Sequence, residues 1–88
     1  MDQSPFPRRL KEIRTLRGLS QKQLGINAGI DLSVASPRMN QYEKGVHAPD
    51  FNTVRHLARV LEVPTAFFYC EEDELAEVIK NFGMPKYR

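Results

Sequence analysis

The stretch Gly29 to Gly45, GIDLSVASPRMNQYEKG, holds the decision about the fold, because a helix has to start somewhere inside it. Pro37 fixes that start: it lacks a backbone donor and disfavours the α region for Ser36, so the spacing predicts a helix from Pro37 with Ser36 as its cap. Met39 and Tyr42 are three apart and point together toward a core. Arg38, Gln41 and Lys44 then fall on the exposed side, with Asn40 at its edge. Gly45 ends the helix, and the segment from Asp31 to Ser36 becomes an unusually long turn before it.

Upstream, LSQKQLGINAG reads as a short helix closed by Gly29. Ser20 caps it and Gln23, three residues on, is placed to reach back in a capping box. Gly25 costs roughly 1 kcal/mol inside a helix, which implies that its missing side chain admits a neighbouring helix. A first helix starts near Ser4-Pro5 or Pro7 and ends at Gly18, with Phe6, Leu10, Ile13 and Leu16 as its apolar positions. Arg8, Lys11 and Arg14 lie on its outer surface.

Downstream, Asp50 caps a helix whose stripe is Phe51, Val54, Leu57, Ala58 and Leu61. Val63-Pro64 interrupts it, TAFFY forms a short aromatic turn, and a last helix runs from about Glu71 to Asn81 with Leu75, Val78, Ile79 and Phe82 on one face. No stretch keeps a strand-like alternation. The fold class is all-α: a compact five-helix domain over residues 1–70, with residues 71–88 as a C-terminal helix and tail that pack on it or dimerise.

Eighty-eight residues with 41% hydrophobic and 27% charged content suit one small core. No apolar run approaches the ~18 residues of a membrane span, and the charged N-terminus is unlike a secretory signal, so a cytoplasmic location is expected. Cys70 is the only cysteine and reads as a structural thiol; neither it nor the two histidines make a metal site by spacing, and no cofactor is expected. His47 and His56 lack a nucleophile or paired carboxylate by motif, and no glycine loop cradles phosphate, so an enzyme is not expected. Net charge is +2 but uneven: residues 1–45 hold eight Lys/Arg against four Asp/Glu, and the remainder five against seven. That asymmetry points weakly to an anionic partner for the N-terminal half.

RRLKEIRTLRGLSQKQLG, AGI and MNQYEKGVHAPDFNTVRHLARVLEVP resemble the Xre family of helix-turn-helix proteins, the Cro- and repressor-like DNA-binding domains, over about three quarters of the chain. The likeness lies in the order of a Leu-Ser-Gln helix start, a glycine turn, an apolar-x-x-aromatic-Glu-x-Gly helix, and a proline before an amphipathic helix ending in Leu-x-Val. Two departures stand out. Gly25 replaces a usual alanine, and the turn after Gly29 is about four residues longer than usual, an insertion of small entropic cost.

The resemblance implies a transcriptional regulator whose third helix enters the major groove of double-stranded DNA, where base edges are distinguishable by forked and amide side chains. Arg38, Asn40 and Gln41 are the base-reading candidates, with Gln41 preferred. The resemblance assigns Gln21 to phosphate. Lys22, Lys44, Arg14 and Arg17 are further phosphate candidates, and so are Ser33 and Ser36 of the long turn, with Leu32 and Val34 packing that turn down. Glu43 reads as structural. A single short helix selects few base pairs, so a homodimer on a palindromic operator is expected. Phe67, whose family counterpart is commonly polar, joins Leu75, Val78, Ile79 and Phe82 as dimer candidates. The alternative is an antitoxin-type module whose C-terminal segment binds a small protein partner while the helix-turn-helix binds its own operator.

Overall fold

The computed structural model describes residues 3–82. Five α-helices and one 3₁₀ turn follow in order among these residues: α1 Phe6–Leu16, α2 Gln21–Asn27, α3 Ala35–Lys44, α4 Phe51–Leu61, the 3₁₀ turn Thr65–Tyr69, and α5 Asp73–Lys80. No strand occurs among them. The tail 83–88 expected to follow the last helix lies outside the described residues.

The capping chemistry places most boundaries. Ser20 Oγ accepts from the Gln23 amide at 2.9 Å, but the Gln23 side chain donates to Asn27 Oδ1 at 2.8 Å instead of reaching back, so only half of the expected capping box forms. Asp50 accepts from the Thr53 amide at 2.9 Å to open α4. Gly29 (φ +94°) and Gly45 (φ +75°) take left-handed conformations that an L side chain resists. At Gly45 the Val46 amide donates to Gln41 O at 3.0 Å, the closing bond of a Schellman motif.

α3 begins two residues earlier than Pro37. Val34 is its N-cap without a side-chain cap bond, and Ser36 lies inside the first turn and does not cap it. Pro37 is tolerated there because the first-turn amides have no intrahelical acceptor, and the first bond runs from the Arg38 amide to Val34 O at 3.0 Å. The long turn is accordingly shorter than expected from sequence.

One core gathers Leu10 and Ile13 of α1, Leu24 of α2, Met39 and Tyr42 of α3, Val54, Leu57 and Leu61 of α4, and Phe67 and Phe68 of the 3₁₀ turn. Gly25 does admit a neighbour: a Cβ there would sit 3.0 Å from Ala35 Cβ and from Met39 Cγ. That close approach locks α2 against α3. Leu16 and Phe51, expected in core stripes, are exposed, Leu16 as the last residue of α1 and Phe51 as the first of α4.

The aromatic turn corrects a further expectation. Phe67 is only 1% exposed, covered by its own chain with the Arg9 guanidinium 5.7 Å from its ring centre, so it offers nothing to a second protomer. Its face is sealed by α1 and by α5, whose Ala76 and Ile79 turn inward. Ile79, proposed for a dimer surface, is half-buried against this core. Leu75, Val78 (64% exposed) and Phe82 (68% exposed) face outward, dividing what the sequence presents as one stripe.

A buried arginine fastens this end of the molecule. Arg9 is 2% exposed and donates from Nε to Cys70 O at 3.0 Å and from Nη2 to Asp73 Oδ1 at 2.9 Å. Nothing in the α1 pattern sets Arg9 apart from its basic neighbours.

Candidate nucleic-acid interface

Ala35, Met39 and Tyr42 recur at helical spacing and turn one side of α3 into the core. The opposite side, with Ser36, Pro37, Arg38, Asn40 and Lys44, is exposed, and Gln41 is half-buried. Relative to the sequence reading, Asn40 and Gln41 exchange places: Asn40 is exposed and Gln41 is half-buried. No hydrogen bond or ion pair among the described residues engages the side chains of Arg38, Gln41, Lys44 or Lys22. Their donors are open to an external acceptor.

Beside this face runs a buried ionic network. Arg14 of α1 spans the Glu43 carboxylate with Nε to Oε2 at 2.5 Å and Nη2 to Oε1 at 3.1 Å, and its Nη1 donates to Leu19 O at 2.9 Å. The planar guanidinium matches the carboxylate two-to-two, and Glu43 is 4% exposed at its side chain. Glu43 is structural, as its place in the sequence implied. Gln21 Nε2 donates to Glu43 Oε1 at 3.0 Å and to Asn40 Oδ1 at 3.3 Å. The start of α2 and the middle of α3 are therefore joined through side chains as well as through Gly25.

Two expected phosphate contacts are committed elsewhere. Arg14 is occupied by Glu43 and Leu19, and Arg17 donates from Nε to Leu61 O at 2.7 Å and from Nη2 to Glu62 O at 3.4 Å. Arg17 thus satisfies orphan carbonyls at the C-terminal end of α4, where a cation is favoured by the helix dipole. Lys11 is the residue missed. It shares a shallow cleft with Gln21, Asn40, Glu43 and Lys44, and only the register of α1 against α3 could have placed it there.

The turn before α3 is organised by its own acid. Asp31 Oδ1 accepts from the Ser33 amide and from Ser33 Oγ, both at 2.9 Å, and these bonds from Ser33 hold the Asp31 carboxyl below its usual range. Ser33 consequently has no donor left for a phosphate, contrary to expectation, and a carboxylate stands where one would have approached. Leu32 is exposed and does not pin the turn down; Val34 is half-buried. Ser36 keeps an exposed position in the first turn of α3.

Among the described residues no group of His, Cys, Asp and Glu is arranged to hold a metal ion, and no helix is long and apolar enough to cross a membrane.

Two helices locked through a glycine, the second with open guanidinium, amide and ammonium donors on its outer side, define a helix-turn-helix unit. The sequence matches the family described as Helix-turn-helix domain over residues 6–66, and the chain belongs to that family. It is similar to an HTH-type transcriptional regulator of Sinorhizobium medicae, 31% identical over 61 residues covering 69% of this chain, and equally to one of Rhizobium meliloti. The chain spans 41% of the length of these curated relatives. The crystal structure of the transcriptional regulator BswR superposes with a TM-score of 0.81 at 53% identity, covering 85% of this chain and 74% of that one.

Proposed function

We propose that this chain is a sequence-specific, double-stranded DNA-binding regulator of transcription, a small repressor of Xre type that lays α3 in the major groove. The observation that carries the reading is the outer side of α3: Arg38, Asn40, Gln41 and Lys44 point away from a core that holds Met39 and Tyr42. Arg38 pairs with a guanine edge and Asn40 and Gln41 with base edges beside it. Lys44, Lys22, Lys11 and the Ser36 hydroxyl meet phosphates on either side. The likeness to BswR, a transcriptional regulator, supports the regulatory role.

Selection from random duplex DNA tests this. The wild type is expected to enrich one short motif. Arg38→Ala loses preference at a single base pair, by about tenfold for a good bidentate contact. Lys44→Ala weakens binding to every duplex and lowers the salt dependence by about one phosphate contact. A wild type that enriches nothing contradicts the reading.

A homodimer on a near-palindromic operator follows from the few base pairs one α3 can read. Residues 71–82 supply its surface in this reading, with Leu75, Val78 and Phe82 the exposed apolar side chains of α5 and its exit. Sedimentation checks it: the wild type is expected to run as a dimer and Val78→Glu as a folded monomer with weaker operator binding. A monomeric wild type that copurifies in equal amounts with a second small protein supports the antitoxin-type alternative instead.

A further inference from the structure

We infer that the cavity between the start of α1, the loop leaving α3 and the 3₁₀ turn is a binding site for a small uncharged planar aromatic molecule of the indole or phenol class, and that its occupancy is felt by α3. The site is a property of the free protein; its effect on DNA rests on the proposed reading of α3 as the recognition helix.

Size sets the first limit on the guest. The cavity holds about 240 Å³, below the range of about 300–1,000 Å³ that drug-sized ligands fill, so it suits one ring or two fused rings. Its walls are largely carbon. The Phe6 and Tyr69 rings stack with centres 5.9 Å apart and 28° between their planes, and Tyr69 keeps half of its surface uncovered. Pro7, Ala48 and Pro49 line the cavity with them, rigid side chains that lose little rotamer freedom when a flat guest settles on them.

Charge sets the second limit. No Asp, Glu, Lys or Arg lines this cavity, whereas the neighbouring cleft that shares Ser4 and Pro7 carries Arg8, Lys11, Lys44 and two glutamates. An anion is better held in that cleft, and an apolar cavity without a counter-charge selects a neutral guest. The polar groups it does offer are open. The side chains of His47 and Tyr69 make no hydrogen bond among the described residues, and Ser4 Oγ accepts from the Phe6 amide at 3.0 Å while its own proton stays uncommitted. A single N–H or O–H on the guest therefore finds an imidazole or a hydroxyl to meet.

Position makes the cavity an effector site. Gly45, which closes α3 at φ +75°, lines it, and a Cβ on Gly45 would lie 3.5 Å from Pro7 Cγ, so the exit of α3 and the entry of α1 come together there. A guest bridges α1, the loop 46–49 and Tyr69, next to Lys44. The cavity exists in the arrangement that turns the outer side of α3 to solvent, so occupancy favours that arrangement and tightens the duplex; the duplex tightens the guest by the same factor.

Indole is the probe for the test. The chain contains no tryptophan, so indole fluorescence reports binding without a protein background. The wild type is expected to bind it with a Kd of about 0.1–1 mM, ordinary for so few atoms. Ala48→Phe, at an exposed loop position, fills the cavity and is expected to weaken indole by about tenfold or more at an unchanged melting temperature; His47→Ala is expected to weaken it about threefold. Benzoate, the anionic counterpart, is expected to bind about tenfold more weakly than indole. Saturating indole is expected to tighten the selected duplex roughly fivefold.

Indole that does not bind, or that binds Ala48→Phe and His47→Ala as well as the wild type, overturns the site. So does a tighter benzoate, or an indole affinity that falls as the protein self-associates, which assigns the cavity to a side chain of a second copy. Binding with an unchanged or weakened duplex affinity overturns the effector role. A wild type without any duplex preference overturns the proposed function and the effector role with it, while the site itself stands or falls on the indole measurements alone.

Discussion

Glu43→Ala is expected to lower the stability of the fold by about 3 kcal/mol, the usual scale for removing one partner of a buried ion pair. For a chain of this size that is a fall of ~12–24 °C in melting temperature. The cause is the charge left behind. Arg14 keeps its Leu19 carbonyl but loses the carboxylate it spans, at a place where water reaches its side chain poorly. Sequence preference should fail as well in whatever fraction stays folded, since Gln21 loses the acceptor that orients it. Replacing both partners together, Arg14→Met with Glu43→Leu, should recover much of the stability and none of the preference. Thermal melts of the three variants check this, and a Glu43→Ala melt within a few degrees of the wild type contradicts the buried network.

Arg9→Ala should cost about 2 kcal/mol, from a buried Cys70 carbonyl left without its donor and from lost packing on Phe67. The effect should be felt first at α5. Amide exchange should rise there, and an expected dimer should weaken with it, while α2 and α3 stay protected. Arg8→Ala is the control: Arg8 also reaches Asp73, at 3.1 Å, but both side chains are exposed and the change should be close to zero.

The same contact has a pH signature. Arg8 and then Arg9 hydrogen-bond the Asp73 carboxylate and hold its pKa below the ordinary 3.8. A carboxylate with a depressed folded pKa contributes fully above its unfolded value and loses that contribution as pH falls through the folded one. Anchoring of α5 should therefore persist at neutral pH and weaken only on acidification below about pH 4. Loosening of α5 near pH 6 contradicts this assignment.

The helix-turn-helix was legible because its signals are local. Ser20, Gly29, Gly45 and Asp50 each act within four residues of themselves, and Met39 with Tyr42 fixes which side of α3 is buried. Glu43 was legible as structural for the same reason. What escaped was set by partners distant in sequence. Arg9 looks identical to Arg8 until Cys70 and Asp73 are brought beside it, and Arg17 meets Leu61 only once α1 lies against the end of α4. Phe67 misled in the opposite direction: an aromatic where the family is commonly polar read as surplus, but it is buried with the guanidinium of Arg9 over its ring. The α5 stripe misread for want of a register, since Leu75 and Val78 share a helix face with Ile79 on paper while the short helix docks through Ala76. Pro37 misplaced the start of α3 because proline forbids a helix interior but not its first turn.

The outer side of α3 is the surface proposed to meet a duplex. Its most direct test is an NMR titration of the labelled protein with its selected duplex, following backbone and side-chain amides together. The largest shifts are predicted at residues 36–44 and in the first turn of α2, with the side-chain amides of Asn40 and Gln41 among them and α5 unmoved apart from any dimer contact. Shifts confined to α4 and α5, with the Asn40 and Gln41 amides unchanged at saturation, would contradict it.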